Sequence, residues 1–288
     1  MTRPSIITNC TSGKRLVTSS DLDASTYRDM SQTQFSRKWL KHLNNSRSPK
    51  MPANQLYKGR GIKEIIETTK PNNFWIVSAG LGLVNSDTHI PGYDLTLSGF
   101  SESNIKKKIN AFALTEWWET IKQGHFSQRK MSDLLERSKT IVVALPSNYL
   151  KLIEDDLEQL SSLKGIKLRI IGRPNQTLSS NLKKHLIPFD DRIDGVDSPI
   201  RGTRSDFYQR AARLFVDRIL SNKKTGSINT HVSSVEKLVN GWRTPALIQR
   251  QKLKDREIIL LIRQLLLDNS NESNRSGSAF LRIFRDRY

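Results

Sequence analysis

Residues 139–146 read KTIVVALP, a run of β-branched and aliphatic side chains that ends at a proline. A continuous apolar run of this length predicts a strand buried on both faces, as in a parallel sheet. Three further short runs have the same character and end in polar or glycine-containing loops: Ser5–Asn9, Asn73–Val77 and Lys167–Ile171. The fold is therefore expected to centre on four buried strands.

Helical patterns separate these strands. Glu102–Lys122, Asn148–Leu163 and Asp206–Leu220 each carry apolar residues at a spacing close to the 3.6-residue period of an α-helix. Strands that alternate with helices predict an α/β domain whose parallel sheet is covered on both faces.

The chain of 288 residues has room for one large domain and an appendage. We expect an α/β domain over residues 1–220, with a long basic and partly mobile insertion at 21–72. Residues 221–288 read as a helical module, with one helix at Lys254–Asp268 and a second apolar segment at Ser278–Arg287. The pattern fits a DNA-binding helix-turn-helix and a plain helical hairpin equally well.

The charge is strongly positive, with 47 Lys and Arg against 28 Asp and Glu and a net charge of +19. Such an excess predicts a polyanionic partner, nucleic acid first and an anionic membrane surface second. Within residues 28–63, nine basic residues face a single acid, Asp29. Phe35, Trp39 and Tyr57 lie among them, a mixture that suits phosphate contacts combined with base stacking.

Several classes of protein are disfavoured by what the sequence lacks. No apolar run approaches the ~20 residues of a membrane span, and we expect no secretory signal. Cys10 is the single cysteine, which excludes an intrachain disulfide and favours a reducing cytosol, so we expect a cytoplasmic protein. The five histidines form no zinc-binding spacing and no phosphate-binding glycine loop is complete, so neither metal nor organic cofactor is expected.

Parallel sheets bind ligands beyond the carboxyl ends of their strands, so the loops that follow the four runs are the expected ligand-binding loops. In the first loop, Asn9 and Thr11 can hydrogen-bond a base edge. After the second strand, backbone N–H groups at Gly80 and Gly82 can approach a phosphate closely, because glycine has no Cβ. Asp94 ends the same segment, where it is either a carboxylate that acts on a sugar or the acceptor of an ordinary turn.

Four short motifs in this order resemble the family of uracil-DNA-glycosylase-like domains: ITNCTSGK (7–14), LYKGR (56–60), WIVSAGLGLV (75–84) and IPGYDLTL (90–97). That family includes the glycosylase-like domain of archaeosine synthases, and phage-defence DNA glycosylases that remove glucosylated hydroxymethylcytosine. The motifs cover about residues 5–100, and the α/β pattern extends the likeness to about residue 220. The resemblance implies a three-layer α/β/α fold with a four-stranded parallel sheet and a base pocket at the strand ends.

The chain departs from the family pattern in the first loop, which carries no acid here. Asp94 is therefore the first candidate for the catalytic carboxylate, and Asp21, Asp23 and Asp191 are weaker ones. The predicted base pocket consists of Asn9, Cys10, Thr11, Ser78, Gly80, Leu81, Gly82 and Tyr93. The predicted contacts to DNA phosphates are Lys14, Arg15, Lys58, Arg60, Arg201 and Arg204.

The function expected from these features is that of a DNA glycosylase in anti-phage defence. It would flip a modified base out of duplex DNA, stack it on Tyr93 or Trp75, and excise it by hydrolysis to leave an abasic site. Glucosylated hydroxymethylcytosine is the best match for the base, and no obligate protein partner is implied. The alternatives are a DNA-binding accessory protein that recognises a modified base without catalysis, and a tRNA-modifying enzyme.

Overall fold

The computed structural model describes residues 3–28, 30–69, 73–97, 99, 101–136, 138–222, 226–246, 253–268 and 277. The chain divides into two compact units, residues 1–245 and 246–288. The sequence pattern predicts a boundary at residues 220/221. The structure places it later because a helix at Ile228–Val239 packs on the sheet of the first unit.

The first unit is an α/β domain, and its main sheet has six strands in the order β4-β3-β1-β6-β7-β8. The strands are β1 (Ser5–Asn9), β3 (Phe74–Ser78), β4 (Gly82–Asn85), β6 (Thr140–Ala144), β7 (Lys167–Gly172) and β8 (Leu186–Pro188). A separate antiparallel pair joins β2 (Lys50–Pro52) to β5 (His89–Pro91). The sheet is thus mixed, and the four-stranded count is corrected to six.

All four predicted strands are present, and they are parallel to one another. β8 extends the parallel sheet at one edge, whereas β4 pairs antiparallel with β3 at the other. The apolar side chains of the two central strands, β1 and β6, are fully buried. This burial explains why those strands read as continuous apolar runs.

The helices of the first unit flank this sheet. They are α1 (Gln32–Asn45), α2 (Ala53–Leu56), α3 (Arg60–Thr68), α4 (Leu114–Ile121), α5 (Ser147–Leu152), α6 (Glu154–Ser162), α7 (Ser180–Lys183), α8 (Phe207–Leu214) and α9 (Ile228–Val239). The helix α8 packs on β6, β7 and α3, and it continues as a π-helical segment over Phe215–Leu220. The predicted helix at Asp206–Leu220 is therefore confirmed.

The predicted helix at Glu102–Lys122 is largely wrong. Residues Ile105–Lys107 form a 3₁₀ turn, and α-helix begins only at Leu114. Asn104 caps the turn by accepting a hydrogen bond from the Lys106 backbone N–H at 3.1 Å, and Ala111 adopts a left-handed conformation. Both features interrupt a helix.

The basic insertion at residues 21–72 is also different from the prediction. It is built into the domain, since Phe35, Trp39 and Tyr57 lie in the hydrophobic core. The indole Nε1 of Trp39 donates to the Gly80 carbonyl at 2.7 Å, which ties α1 to the end of β3. These aromatic side chains are buried and so cannot stack on a nucleic acid.

The second unit contains α10 (Asp255–Asp268), which confirms the first predicted helix of the C-terminal module. The second predicted segment, Ser278–Arg287, lies outside the described residues, so the helix-turn-helix stays a prediction. In the part of the chain that the structure describes, no helix combines the length and hydrophobicity needed to span a bilayer.

Candidate functional site

A cleft of about 1320 Å³ opens where β1 and β6 end. From β1 the chain crosses to β3 on one side, and it later returns to the other side as β6. The loops after β1 and β6 therefore diverge, and this is the point where open α/β sheets form a ligand crevice. The volume exceeds the ~300–1,000 Å³ typical of small-molecule pockets, so the cleft has room for a nucleotide with a substituent.

Four segments form the walls of this cleft. The loop after β1 supplies residues 9–13, and the start of α3 supplies residues 58–62. The segment from Asp94 to Lys106 forms a third wall. The fourth consists of residues after β6, including Tyr149, together with residues from Thr203 to Gln209 at the start of α8.

The floor of the cleft presents hydrogen-bond acceptors. Gln209 is buried, and its Nε2 donates to Asn9 Oδ1 at 2.8 Å and to Thr8 Oγ1 at 3.0 Å, with a longer contact to the Ala144 carbonyl at 3.4 Å. Asn9 Nδ2 donates to the Cys10 carbonyl at 2.8 Å. Since backbone carbonyls can only accept, these contacts fix the orientation of both amides.

With its amide fixed in this way, Gln209 Oε1 is buried and has no donor among the described residues. The Thr11 hydroxyl proton is used within the protein, because it points to the backbone carbonyls of Lys58 at 2.7 Å and Gly13 at 3.0 Å. The Thr11 oxygen can therefore only accept a hydrogen bond from a ligand. Asn9 and Thr11 therefore present oxygen acceptors to the cleft, whereas Gln209 Oε1 lies beneath its surface. Oxygen acceptors favour a ligand that carries N–H groups.

Asp94 lies in the cleft wall, as predicted, and its backbone is held on both sides. Its N–H donates to the Leu22 carbonyl at 2.8 Å, and its carbonyl accepts from Ala24 N–H at 2.7 Å. The carboxylate Oδ2 accepts a hydrogen bond from Ser103 Oγ at 2.8 Å. Among the described residues nothing donates to Oδ1, so one oxygen is anchored and the other is free to act.

The weaker carboxylate candidates are placed elsewhere. Asp23 shares the Ser103 hydroxyl with Asp94, at 3.3 Å, but it does not line the cleft. Asp21 is exposed, and Asp191 pairs with Arg173.

A second cleft carboxylate, Asp206, was not predicted. Its Oδ1 accepts from Arg210 Nε at 2.7 Å and from Thr203 N–H at 2.8 Å. Arg210 is fully buried and also binds Asp194 and the carbonyls of Ile193 and Thr203. Asp206 therefore organises the loop before α8. In sequence it looks like an ordinary helix-capping residue, so no local signal marked it.

The predictions after the second strand need correction. Ser78, Gly80, Leu81, Gly82 and Tyr93 are buried behind the cleft and do not line it. The backbone N–H groups of Gly80 and Leu81 donate to Ser78 Oγ, at 3.2 and 3.0 Å, and so are not available to a phosphate. The reason is that β3 turns directly into the antiparallel strand β4, which the parallel pattern did not predict.

The predicted stacking residues are likewise buried. The Tyr93 hydroxyl bonds to Tyr57 at 2.7 Å and to Ser78 at 2.6 Å, and Trp75 is only 3% exposed. Burial raises the pKa of the Tyr93 hydroxyl well above its usual range. Among the described lining residues, Tyr149 is the aromatic side chain, and its hydroxyl lies 3.2 Å from Cys10 Sγ. Tyr149 is itself only 6% exposed, so neither it nor the predicted Tyr93 and Trp75 presents an open face for stacking.

The predicted phosphate contacts differ in their exposure and in whether they line the cleft. Lys58 and Arg60 line the cleft and are exposed, and the unpredicted Lys106 joins them. Arg60 Nε lies 3.8 Å from Asp206 Oδ2. Arg201 and Arg204 are exposed beside the lining residues Thr203 and Ser205, and Arg15 donates to the Gln55 carbonyl at 2.8 Å. Lys14 is half-buried, which does not suit a phosphate contact at the surface.

Nothing in the described residues gathers His, Cys, Asp and Glu side chains into a group that could hold a metal ion. Neither the models of known protein families nor the curated proteins give a match to this chain.

Proposed function

We propose that this protein is a DNA glycosylase that hydrolyses the N-glycosidic bond of a base flipped into the cleft. The observation that carries the proposal is Asp94, a carboxylate with one oxygen anchored and the other without a donor, at the wall of a nucleotide-sized cleft. Lys58, Arg60 and Lys106 provide positive charge at the same cleft for the phosphates that flank a flipped nucleotide.

The mechanism uses these groups in sequence. Flipping costs a few kcal/mol of unstacking, which contacts to the flanking phosphates offset. The C1′–N bond then breaks, and its electron pair leaves with the base. The Asp94 carboxylate stabilises the positive charge that develops on the sugar and orients a water molecule towards C1′. The product is an abasic site.

The acceptors at the floor support a base that has an exocyclic amino group. Cytosine and adenine present such N–H donors on their pairing edges, whereas uracil and thymine present carbonyl oxygens there. Asn9 and Thr11 would repel a carbonyl and accept from an amino group. A modified cytosine in phage DNA fits both this preference and the size of the cleft, with glucosylated hydroxymethylcytosine as the first candidate and defence against phage as the purpose.

The decisive test compares two carboxylates that share one hydroxyl. Asp94→Asn keeps the oxygen that accepts from Ser103 but removes the charge, and Asp23→Asn makes the same change outside the cleft. Alkali-labile sites and released bases are measured on unmodified, hydroxymethylated and glucosylated phage DNA. We expect Asp94→Asn to lose at least ~100-fold in excision rate, within the range for catalytic side chains, and to bind DNA normally. Full excision by Asp94→Asn would remove Asp94 from the mechanism.

An accessory protein that binds a modified base without excising it is the second candidate. It is favoured by the hydrogen bonds that tie Asp94 to Leu22, Ala24 and Ser103, because these are also what a purely structural turn would make. If wild-type protein binds modified DNA selectively and releases no base, this second function is the correct one. A tRNA-modifying enzyme would instead act on RNA in the same assay.

A further inference from the structure

Lys14 has an unusual position for a lysine in so basic a protein. Its ammonium lies 4.3 Å from the centre of the Tyr93 ring and 6.0 Å from that of Tyr57. Its hydrogen bond to the Ser12 carbonyl is long, at 3.4 Å. Among the described residues no carboxylate forms an ion pair with it. The amine is held by aromatic faces and is not neutralised by an acid.

Lys14 is not itself a lining residue of the cleft, but it directly follows the lining residues Ser12 and Gly13 in the chain. Ser12, which accepts its long hydrogen bond, lines the cleft, as do Cys10 and Asp94, whose charges act on the ammonium. The backbone is fixed because Arg15 N–H donates to the Leu56 carbonyl and Lys58 N–H donates to that of Gly13, each at 2.9 Å. Lys14 therefore places an amine that no described acid neutralises next to the wall that carries Asp94.

Burial lowers the pKa of the Lys14 ammonium, and the fields of Cys10 and Asp94 oppose that shift only in part. A lowered amine pKa increases the fraction of the neutral, nucleophilic form near neutral pH. Lysines that act as nucleophiles on carbonyl carbons are activated in this way.

We propose that Lys14 is a covalent nucleophile that gives the protein a second activity, cleavage of the DNA strand at an abasic site. The neutral amine adds to C1′ of the ring-opened sugar aldehyde, and loss of water gives a protonated imine. Asp94 or water removes a proton from C2′, and the C3′–O bond breaks with the phosphate as leaving group. Water then hydrolyses the imine and restores the amine, so no oxidant, reductant or metal is consumed.

This inference rests on the proposed function only in taking DNA as the ligand, and it is tested without any base excision. Duplex DNA with one preformed abasic site is incubated with the full chain and sodium borohydride, which reduces the imine to a stable protein–DNA adduct. We expect wild-type protein to form the adduct and peptide mapping to locate it on Lys14. Strand cleavage without borohydride should give the product of β-elimination.

Two variants and one matched control make the test specific. Lys14→Arg keeps the cation over the aromatic rings and Lys14→Met removes it, and both should lose the adduct. The control is Lys38→Arg, because the Lys38 ammonium also lies over a tyrosine ring, 4.8 Å from the centre of Tyr27. This variant should keep the adduct. Far-ultraviolet circular dichroism and thermal melting show whether each variant is folded.

The outcomes separate this inference from the proposed glycosylase. Base release from modified DNA without any adduct would overturn the role of Lys14 and leave the glycosylase in place. An adduct on Lys14 without base release from any DNA would support Lys14 and contradict the glycosylase. An equal adduct yield in folded Lys14→Arg, or mapping to another lysine, would also overturn the inference.

Discussion

At the scale of single residues, the cleft is specified by hydrogen bonds that leave particular atoms unused. The Asn9 and Gln209 amides are oriented by backbone carbonyls, which leaves Gln209 Oε1 as a buried acceptor. The Asp94 carboxylate is oriented by Ser103 in the same manner. Pre-organisation of this kind spares the cost of ordering these side chains when a ligand binds.

Gln209 is expected to set the preference for an amino-bearing base. Gln209→Met removes the Nε2 donor that orients Asn9 Oδ1. The ratio of excision rates for 5-hydroxymethylcytosine over 5-hydroxymethyluracil should then fall about tenfold, since contacts between side chains and base edges are worth ~1–3 kcal/mol. Gln176→Leu is the control, because Gln176 is also buried but bonds to Ser147 and Tyr208 and does not line the cleft. An unchanged ratio in Gln209→Met would exclude Gln209 from base recognition.

At the scale of elements, the turn between β3 and β4 shows what sequence patterns can and cannot predict. The four core strands were predictable because each is a continuous buried apolar run. The β4 strand was not predictable, because its four residues follow β3 after a short turn and form no separate apolar run or alternating pattern. The same error placed Gly80 and Gly82 in the ligand site, whereas their surroundings show a packing role.

Gly82 illustrates that role and can be tested by its effect on stability. Its φ is +81°, and a Cβ there would come within 2.3 Å of Ser127 Oγ. Gly165 has the same φ of +81° but open space around it. We expect Gly165→Ala to lower the free energy of unfolding by about 1–2 kcal/mol through backbone strain alone. Gly82→Ala should cost at least ~1 kcal/mol more, because overpacking adds to strain.

Urea denaturation followed by tryptophan fluorescence measures both glycine variants. Equal losses of stability would show that the region around Ser127 adjusts freely and that the turn is not tightly packed.

The candidate site was predictable only where it follows the strand ends. Asn9 and Thr11 were identified because they lie at the end of β1 and in the loop after it. Asp94 was identified because it ends the segment after β3, although that segment contains β4 and β5. Tyr149 lies in α5, directly after β6, and no feature of the sequence singled it out. Asp206 and Gln209 come from a helix more than 100 residues away, and a single sequence carries no signal of such contacts.

At the scale of the whole molecule, positive charge is the dominant property. All nine basic residues of the segment 28–63 are exposed, and among the described residues only Arg60 of these nine is paired with an acid. Their aromatic neighbours are buried, so the charge remains as a surface property while the aromatic residues stabilise the core. This distribution favours binding to a polyanion in which phosphates supply most of the affinity.

The salt dependence of DNA binding should locate the phosphate contacts. The double variant Lys58→Gln/Lys106→Gln removes two charges at the cleft, and it should reduce the slope of log K against log salt by about 2. Lys139→Gln/Lys164→Gln removes two exposed charges that precede β6 and β7, at the amino-terminal ends of the parallel strands and so away from the cleft. This double variant should leave the slope unchanged. Equal slopes for the two double variants would mean that DNA does not enter the cleft.

In the proposed function, the carboxylate of Asp94 acts in the excision of a flipped base in the cleft. Single-turnover excision of glucosylated phage DNA by wild-type protein, Asp94→Asn and Asp23→Asn tests it most directly. The account predicts abasic sites with the wild type and with Asp23→Asn, and a loss of at least ~100-fold with Asp94→Asn despite normal DNA binding. Equal excision rates for wild type and Asp94→Asn, or no excision by wild-type protein of any modified DNA, would contradict it.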